Sequence, residues 1–256
     1  MATPTDIHLY TSQTPNGIKI SLLLEELGLQ YKVTAIELTK NVQKEPWYVE
    51  INPNGRIPAL TDTHTDGKPI RLFESGSILL YLTDRYDTEH KLSYPFGTRE
   101  YYEVNNWLFF QMAGVGPMQG QSNHFLRYAP ERIEYGVKRY GNETGRLYHV
   151  LDDHLAKSTS GFLVGDRLTI ADIATWPWIA SHHNIGWAGQ TLDDTPHLKA
   201  WFDKILARPG VEKGRHIPSR HTALDNLSVA DIEKRAASAR AWVQQGMADD
   251  AKKLKK

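Results

Sequence analysis

The sequence predicts an α/β domain followed by an all-helical one. Over the first ninety residues, apolar side chains alternate between a period of two and a period near 3.6. The mixed pattern stops at a polar, turn-rich stretch near Thr88 to Thr98, beyond which nearly every apolar pattern is helical. The expected domains are 1–89 and 96–256, and a chain of 256 residues has the length for two ordinary domains.

In chain order, Ile7-His8-Leu9-Tyr10 alternates as a short strand. Ile18, Leu22, Leu23 and Leu27 then recur at helical spacing until Gly28, a residue suited to a left-handed helix stop. Tyr31 to Leu38 reads as a second strand, which makes a strand-helix-strand unit with parallel pairing and a right-handed crossover. Ile57-Pro58-Ala59-Leu60 and Ile70-Arg71-Leu72-Phe73 flank a polar segment containing Asp66-Gly67, a hairpin signal. A helix follows with Ile78, Leu79, Leu82 and Tyr86 on one face. The order β-α-β then β-β-α is accommodated by a mixed sheet of four strands flanked by helices.

The second half reads as helices at Arg99 to Met112, Ile133 to Lys157, Ile170 to His183, His197 to Ala207 and Ala230 to Gln245. Thr169-Ile170-Ala171-Asp172 has the form of a capping box with Asp in place of Glu. The tail Ala251-Lys252-Lys253-Leu254-Lys255-Lys256 is read as a solvated, frayed end.

Composition excludes several function classes. Lys plus Arg balance Asp plus Glu at 30 each, so no net field holds the chain on nucleic acid or an anionic membrane. There is no cysteine, which removes protein-thiol catalysis, disulfides and thiolate metal sites together. No apolar run approaches the ~18 residues of a membrane helix, and the first residues lack a signal-peptide pattern. A cytoplasmic protein acting on small molecules is expected, and the sequons at Asn142 and Asn226 then carry no meaning. His182-His183 and the pair His149 and His154 lack a metal-binding pattern, so no metal is expected.

Three turns carry the candidate chemistry. In Thr14-Pro15-Asn16-Gly17, proline suits the first helical position and Thr14 the N-cap. That turn is equally readable as a plain cap and as an anion site, where free N–H groups, the helix dipole and the side chains of Thr14 and Asn16 converge. In Asn52-Pro53-Asn54-Gly55-Arg56-Ile57-Pro58, a proline opening a strand is unusual. A cis bond before Pro58 would turn the backbone of Ile57 toward an extended peptide ligand. At Phe73-Glu74-Ser75-Gly76, Ser75 reads as a helix cap, while Glu74 beside free N–H groups suits a ligand with an ammonium and a carboxylate on one carbon. An α-amino acid has that form.

Together the TPNG turn at 14–17, NPNGRIPAL at 52–60, FESGSILLYL at 73–82 and LTIADIATWPW at 168–178 closely resemble the glutathione transferases. The match is most similar to the bacterial nu class and the fungal class named after the yeast nitrogen-catabolite regulator Ure2p, over roughly residues 6 to 210. The resemblance implies the glutathione transferase fold: a thioredoxin-like N-terminal domain that holds glutathione, an all-helical C-terminal domain that shapes the second-substrate pocket, and a homodimer. It implies that Glu74 and Ser75 bind the γ-glutamyl end, that the Ile57 backbone pairs with the cysteinyl part and that Pro58 is the cis-proline. Gln43 and Arg56 stand where side chains approach the glycyl end, and Arg139 near a helical arginine that some relatives use in the same site.

Of the groups that meet the thiol in this family, cysteine is absent, and Tyr10 lacks the surroundings of the tyrosine classes. Serine use would favour Ser12, but the TPNG turn resembles relatives that employ the threonine and asparagine, so the resemblance implies Thr14 and Asn16 as the candidates, with Asn16 also counted in the glutathione site. Phe110, Met112 and Met118, around a Gly and Pro break, are candidates for the second-substrate pocket, with core packing the commoner role for any one of them. Trp176 and Trp178 are expected in the core. The implied function is conjugation of glutathione to small electrophiles, as in detoxification. The rivals are a glutathione-dependent disulfide or peroxide reductase and a non-catalytic regulator or ligand-binding protein on the same fold.

Overall fold

The computed structural model describes residues 5–182, 192–225 and 228–253. Strand β1 (His8–Thr11), helix α1 (Pro15–Glu26) and strand β2 (Lys32–Ala35) form the expected parallel unit. Thr14 is the N-cap of α1, with Pro15 in the first turn, and Gly28 closes the helix at φ +65°. Strand β2 is shorter than the apolar pattern, because the chain leaves the sheet into 3-10 turns at Leu38–Lys40 and Val42–Lys44, separated by left-handed Asn41. A short helix α2 (Pro46–Ile51), absent from the periodicity, leads into β3 (Ala59–Thr63) and β4 (Pro69–Phe73). The sheet order is β2-β1-β3-β4, with β3 antiparallel to both neighbours. Leu9 lies opposite Leu60, and Leu60 opposite Leu72, which keeps one apolar row against the helices. Helix α3 (Ser75–Tyr86) docks on β3 through Tyr81 and Tyr86, whose hydroxyls donate to Asp62 at 2.9 and 2.6 Å.

The second domain contains α4 (Arg99–Phe110), α5 (Gly116–Asn123), α6 (Glu134–Leu155), α7 (Ile170–His182), α8 (Pro196–Leu206), α9 (Pro209–Gly214) and α10 (Val229–Lys253). Helix α4 ends before the Met112 boundary that periodicity gives. Pro117 has no N–H to continue an α-helix, and the chain passes through a π-helical turn at Gln111–Val115 before α5. The sequence patterning missed α5 and α9. Helix α10 reaches Lys253, so the start of the tail is helical rather than frayed; residues 254–256 and His183 lie outside the described part. Among the described residues no helix is long and apolar enough to cross a membrane.

The two domains share one core. Helix α1 is buried from Gly17 to Leu24 and packs against both α7 and α9. Ser21 donates to the Gly214 carbonyl at 2.8 Å, and Arg208 forms a paired bridge to Glu26 at 3.0 and 2.6 Å. In the second domain, buried Asp172 accepts from the Leu163 amide, the Trp201 indole, and the amide and hydroxyl of Thr169; the bond from the Thr169 amide is the carboxylate half of the expected capping box. Burial raises the Asp172 pKa, and those same hydrogen bonds oppose the rise.

Candidate active site

A cleft of about 640 Å³ opens where the α1 N-terminus, the 52–58 turn and the β4–α3 turn meet the α4–α5 junction and α7. It brings together Asn16, Arg56, Ile57, Pro58, Glu74, Ser75 and Met112 of the sequence candidates.

Each wall follows from local chemistry. Asn52 accepts the Asn54 amide at 3.0 Å and donates to the Arg56 carbonyl at 2.7 Å, and the Tyr48 hydroxyl donates to that carbonyl at 2.7 Å. These bonds fasten the turn ahead of a cis Ile57–Pro58 peptide. The amide and carbonyl of Ile57 have no hydrogen-bond partner among the described residues, as expected for a backbone offered to an extended ligand. At the opposite wall, Glu74 adopts φ +68°, a left-handed conformation in a non-glycine residue of the kind that collects at functional sites. This makes Glu74 the N-cap position of α3, without a side-chain cap bond, and Ser75 the first helical residue. Ser75 is therefore not the cap that its place in the sequence implied; its hydroxyl accepts from Lys19 at 3.1 Å.

Asn16 is fixed by a residue that the sequence placed in the core. Trp176 is fully buried, but Trp178 borders the cleft, and its indole N–H donates to the Asn16 Oδ1 at 3.1 Å. The Asn16 Nδ2 then remains as a donor, with no protein acceptor among the described residues. Gln119 holds the Trp178 carbonyl at 2.8 Å and is itself held by the Tyr148 hydroxyl at 2.9 Å. Space for the indole comes from Gly116, where a Cβ would stand 3.3 Å from the ring and 2.9 Å from Gln111 Nε2. Thr14 does cap α1, accepting the Gly17 amide at 3.2 Å, and its side chain is not part of the cleft wall. Its hydroxyl hydrogen has no acceptor among the described residues.

The other candidates lie apart. Phe110 and Met118 pack against the main core, whereas Met112 reaches the cleft and touches the position where a Gly76 Cβ would be. Arg139 stands on α6, more than half exposed, with Glu143 at 3.9 Å and no place in the cleft wall. Gln43 is buried and lines a neighbouring cavity of about 490 Å³, which meets the cleft at Arg56. Helix α10 walls that cavity with Trp242 and Lys252, and Trp242 donates to Asn41 at 3.3 Å. Tyr10 packs instead with His8, Trp47 and Tyr48. Among the described residues no cluster suited to a metal ion occurs.

Lys19 was missed by the sequence reading. It borders the cleft, is fully buried, and burial lowers its pKa to about 7 against a smaller opposing effect of Glu74. The one signal in the sequence is a lysine inside the otherwise uncharged stretch from Thr14 to Leu24.

A mixed four-stranded sheet with a cis-proline ahead of β3, sharing a cleft with a helical partner, defines a two-domain thioredoxin-like protein. Residues 5–84 match the family described as Glutathione S-transferase, N-terminal domain, and residues 123–209 match Glutathione S-transferase, C-terminal domain. The chain belongs to the glutathione S-transferase family. It is 44% identical to the disulfide-bond oxidoreductase YfcG of Escherichia coli over 208 residues, covering 79% of this chain and 91% of that one. A glutathione transferase homologue from Lodderomyces elongisporus, solved with two glutathione molecules per subunit, superposes with a TM-score of 0.79 at 45% identity, covering 83% of this chain and 99% of that one. The glutathione transferase URE2P8 of Phanerochaete chrysosporium, solved with oxidised glutathione, superposes with a TM-score of 0.76 at 34% identity, covering 82% and 93%.

Proposed function

We propose that this protein binds glutathione in the cleft, ionises its thiol at the α1 N-terminus and uses the thiolate to reduce glutathione-type disulfides. The γ-glutamyl end is assigned to Glu74 and Ser75, the cysteinyl backbone to Ile57 beside Pro58, and the glycyl end to Arg56 with Gln43. Asn16 donates to the sulfur, while Thr14, whose side chain lies outside the cleft wall, is assigned to fixing the turn as the α1 N-cap. Arg139 is assigned no contact within one subunit, since its guanidinium stands outside the cleft wall.

The observation that carries the reading is the polarity of the cleft wall as a whole. Asn16, Asn54, Gln111 and Gln121 line it beside Arg56 and Glu74, and the apolar side chains that the helical domain contributes are Met112, Pro117 and Trp178. Such a wall suits a second peptide-like ligand better than an apolar electrophile. The relatives solved with two glutathiones or with glutathione disulfide support the same choice.

With no cysteine in the chain, every sulfur in the reaction comes from a ligand. A bound thiolate attacks one sulfur of a disulfide RSSR, forming the glutathione mixed disulfide and releasing the other sulfur as a thiolate; a substrate that already carries glutathione enters at the second step. A second glutathione thiolate then attacks the mixed disulfide, releasing the second thiol and glutathione disulfide. Two glutathione thiols supply the two electrons, and the released thiolates take up the two protons that those thiols gave up.

Conjugation of small electrophiles is the second reading, favoured by the apolar side chains Met112 and Trp178 in the cleft lining. Turnover of glutathionylated 2-hydroxyethyl disulfide and of a chloronitrobenzene, compared at equal glutathione, tests both. Higher kcat/KM on the disulfide is expected. The reverse order refutes disulfide reduction as the main activity, and no turnover of either refutes both readings.

A further inference from the structure

Lys19 is a buried cation whose hydrogen-bond partners carry no charge. Its ammonium donates to the Ser75 hydroxyl at 3.1 Å, to the Gln111 Oε1 at 2.5 Å and to the Met112 sulfur at 3.3 Å. A buried ammonium normally has an anion to balance it. Glu74 acts on Lys19 through space but is not one of these partners. The other charged side chain on the cleft wall is Arg56, a cation; α7 presents Trp178 and α5 presents Gln121, neither of which titrates near neutrality. The Ser75 hydroxyl, with a lone pair engaged by Lys19, turns its hydrogen toward the weakly accepting Met112 sulfur at 3.5 Å.

Resting on the glutathione reading above, we propose that the missing counter-charge is the ligand's own α-carboxylate. Its arrival at Ser75 completes a carboxylate–hydroxyl–ammonium chain and draws a proton onto Lys19. Lys19 is then a positioning residue: it orients Ser75 and makes the cleft select γ-glutamyl ligands with a free α-carboxylate. Within the protein itself, burial holds the Lys19 pKa at about 7, so the lysine is largely neutral under mildly alkaline conditions. A nearby carboxylate raises that pKa, and binding and protonation become linked. A lysine that served only to tie α1 to the α4–α5 junction would show no such linkage.

S-methylglutathione separates the lysine's proton from the thiol's, because its sulfur cannot ionise. Calorimetric titration in buffers of different ionisation enthalpy reads the protons taken up on binding. With a free-state pKa near 7, uptake of about a tenth of a proton is expected near pH 6 and about nine tenths near pH 8. Lys19→Arg, which stays charged, is expected to bind near pH 8 without uptake, and Lys19→Met to bind at least about tenfold more weakly. Binding by the wild-type protein with uptake below about a third of a proton near pH 8 overturns the proposal and leaves the glutathione reading standing. Affinity of a folded Lys19→Met variant within about twofold of wild type also overturns it. Absence of any wild-type binding at millimolar ligand overturns both. The wild-type uptake decides the matter even where a Lys19 variant does not fold.

Discussion

Replacing Trp178 by Phe tests the orientation of Asn16. The substitution keeps an aromatic side chain but removes the indole N–H that donates to Asn16 at 3.1 Å, together with the outer ring atoms beside Gly116 and Gly120, so its comparison with Asn16→Ala separates orientation from loss of the amide itself. An ordinary free thiol has a pKa of about 8.5, so at pH 7 only about 3% is thiolate. A hydrogen bond to an ionised group contributes about 1.5–3 kcal/mol. At about 1.4 kcal/mol per pKa unit, loss of the Nδ2 donor in Asn16→Ala raises the pKa of bound glutathione by roughly 1–2 units. Trp178→Phe leaves the amide in place but free to rotate, and its effect is bounded by a neutral hydrogen bond of about 0.5–1.5 kcal/mol, or up to about one unit.

Ultraviolet titration of the thiolate absorbance, with protein saturated by glutathione, reads both shifts directly. Rates at saturating pH respond less than the pKa, because nucleophilicity changes with basicity at a Brønsted slope of about 0.4–0.5. Gly116→Ala crowds the indole, since the new Cβ would meet the ring at 3.3 Å, and is expected to shift the pKa in the same direction. No rise in Asn16→Ala removes Asn16 from the ionising role. A rise there with none in Trp178→Phe shows that the tryptophan does not orient it.

Two further outcomes follow from other parts of the molecule. Burial first, then Arg215 and His216, lower the His221 pKa from 6.5 to about 4, so the folded state favours the neutral ring. The stability linked to that preference is complete above the unfolded value and is lost as pH falls from about 6.5 to 4, up to about 3 kcal/mol. Urea unfolding of wild type and His221→Gln across that window checks this, and parallel pH profiles refute it. The family resemblance implies a homodimer, and Tyr102 and Phe109, 54% and 61% exposed and two turns apart on α4, are apolar surface that such an interface could cover. Sedimentation at micromolar concentration is expected to show the dimer, and a monomer refutes it.

Sequence reasoning succeeded where a residue's backbone chemistry decides the structure locally. Pro15 opening α1, Gly28 closing it, the cis bond at Pro58 and the Gly67 turn all depend on near neighbours, and each stands where expected. It failed where the deciding partner is remote. Ser75 looked like a cap because a serine ahead of a helix usually is one; Lys19, 56 positions away, engages its hydroxyl. Trp178 looked like core because it lies two residues from Trp176 in the same apolar run. Its indole instead reaches across 162 positions to Asn16. Helices α5 and α9, at 8 and 6 residues, are too short for periodicity to establish. The π-helical turn at Gln111–Val115 is visible only as a Gly and Pro break, yet it delivers Gln111 and Met112 to the cleft.

These remote contacts converge on one division of labour. The N-terminal domain supplies the backbone of Ile57, the Glu74–Ser75 turn and the mouth of α1, the features to which the proposed binding mode assigns the γ-glutamyl peptide without reference to what it reacts with. The helical domain supplies Trp178 to aim Asn16, and Gln111 and Met112 to surround Lys19. In the proposed binding mode it therefore reaches two parts of the ligand, the sulfur through one contact and the α-carboxylate through the other. Relative movement of the domains would disturb thiol ionisation and carboxylate binding together. The Arg208–Glu26 bridge and the Ser21–Gly214 contact restrain such movement from the far side of α1. Ionisation alone returns only a few-fold in rate once reduced nucleophilicity is counted, so the larger share of catalysis falls to holding the second ligand against sulfur. The wall that does this, from Gln111 to Gln121 with Trp178, belongs to the helical domain, and substitutions there are the ones expected to change which disulfide or electrophile is accepted.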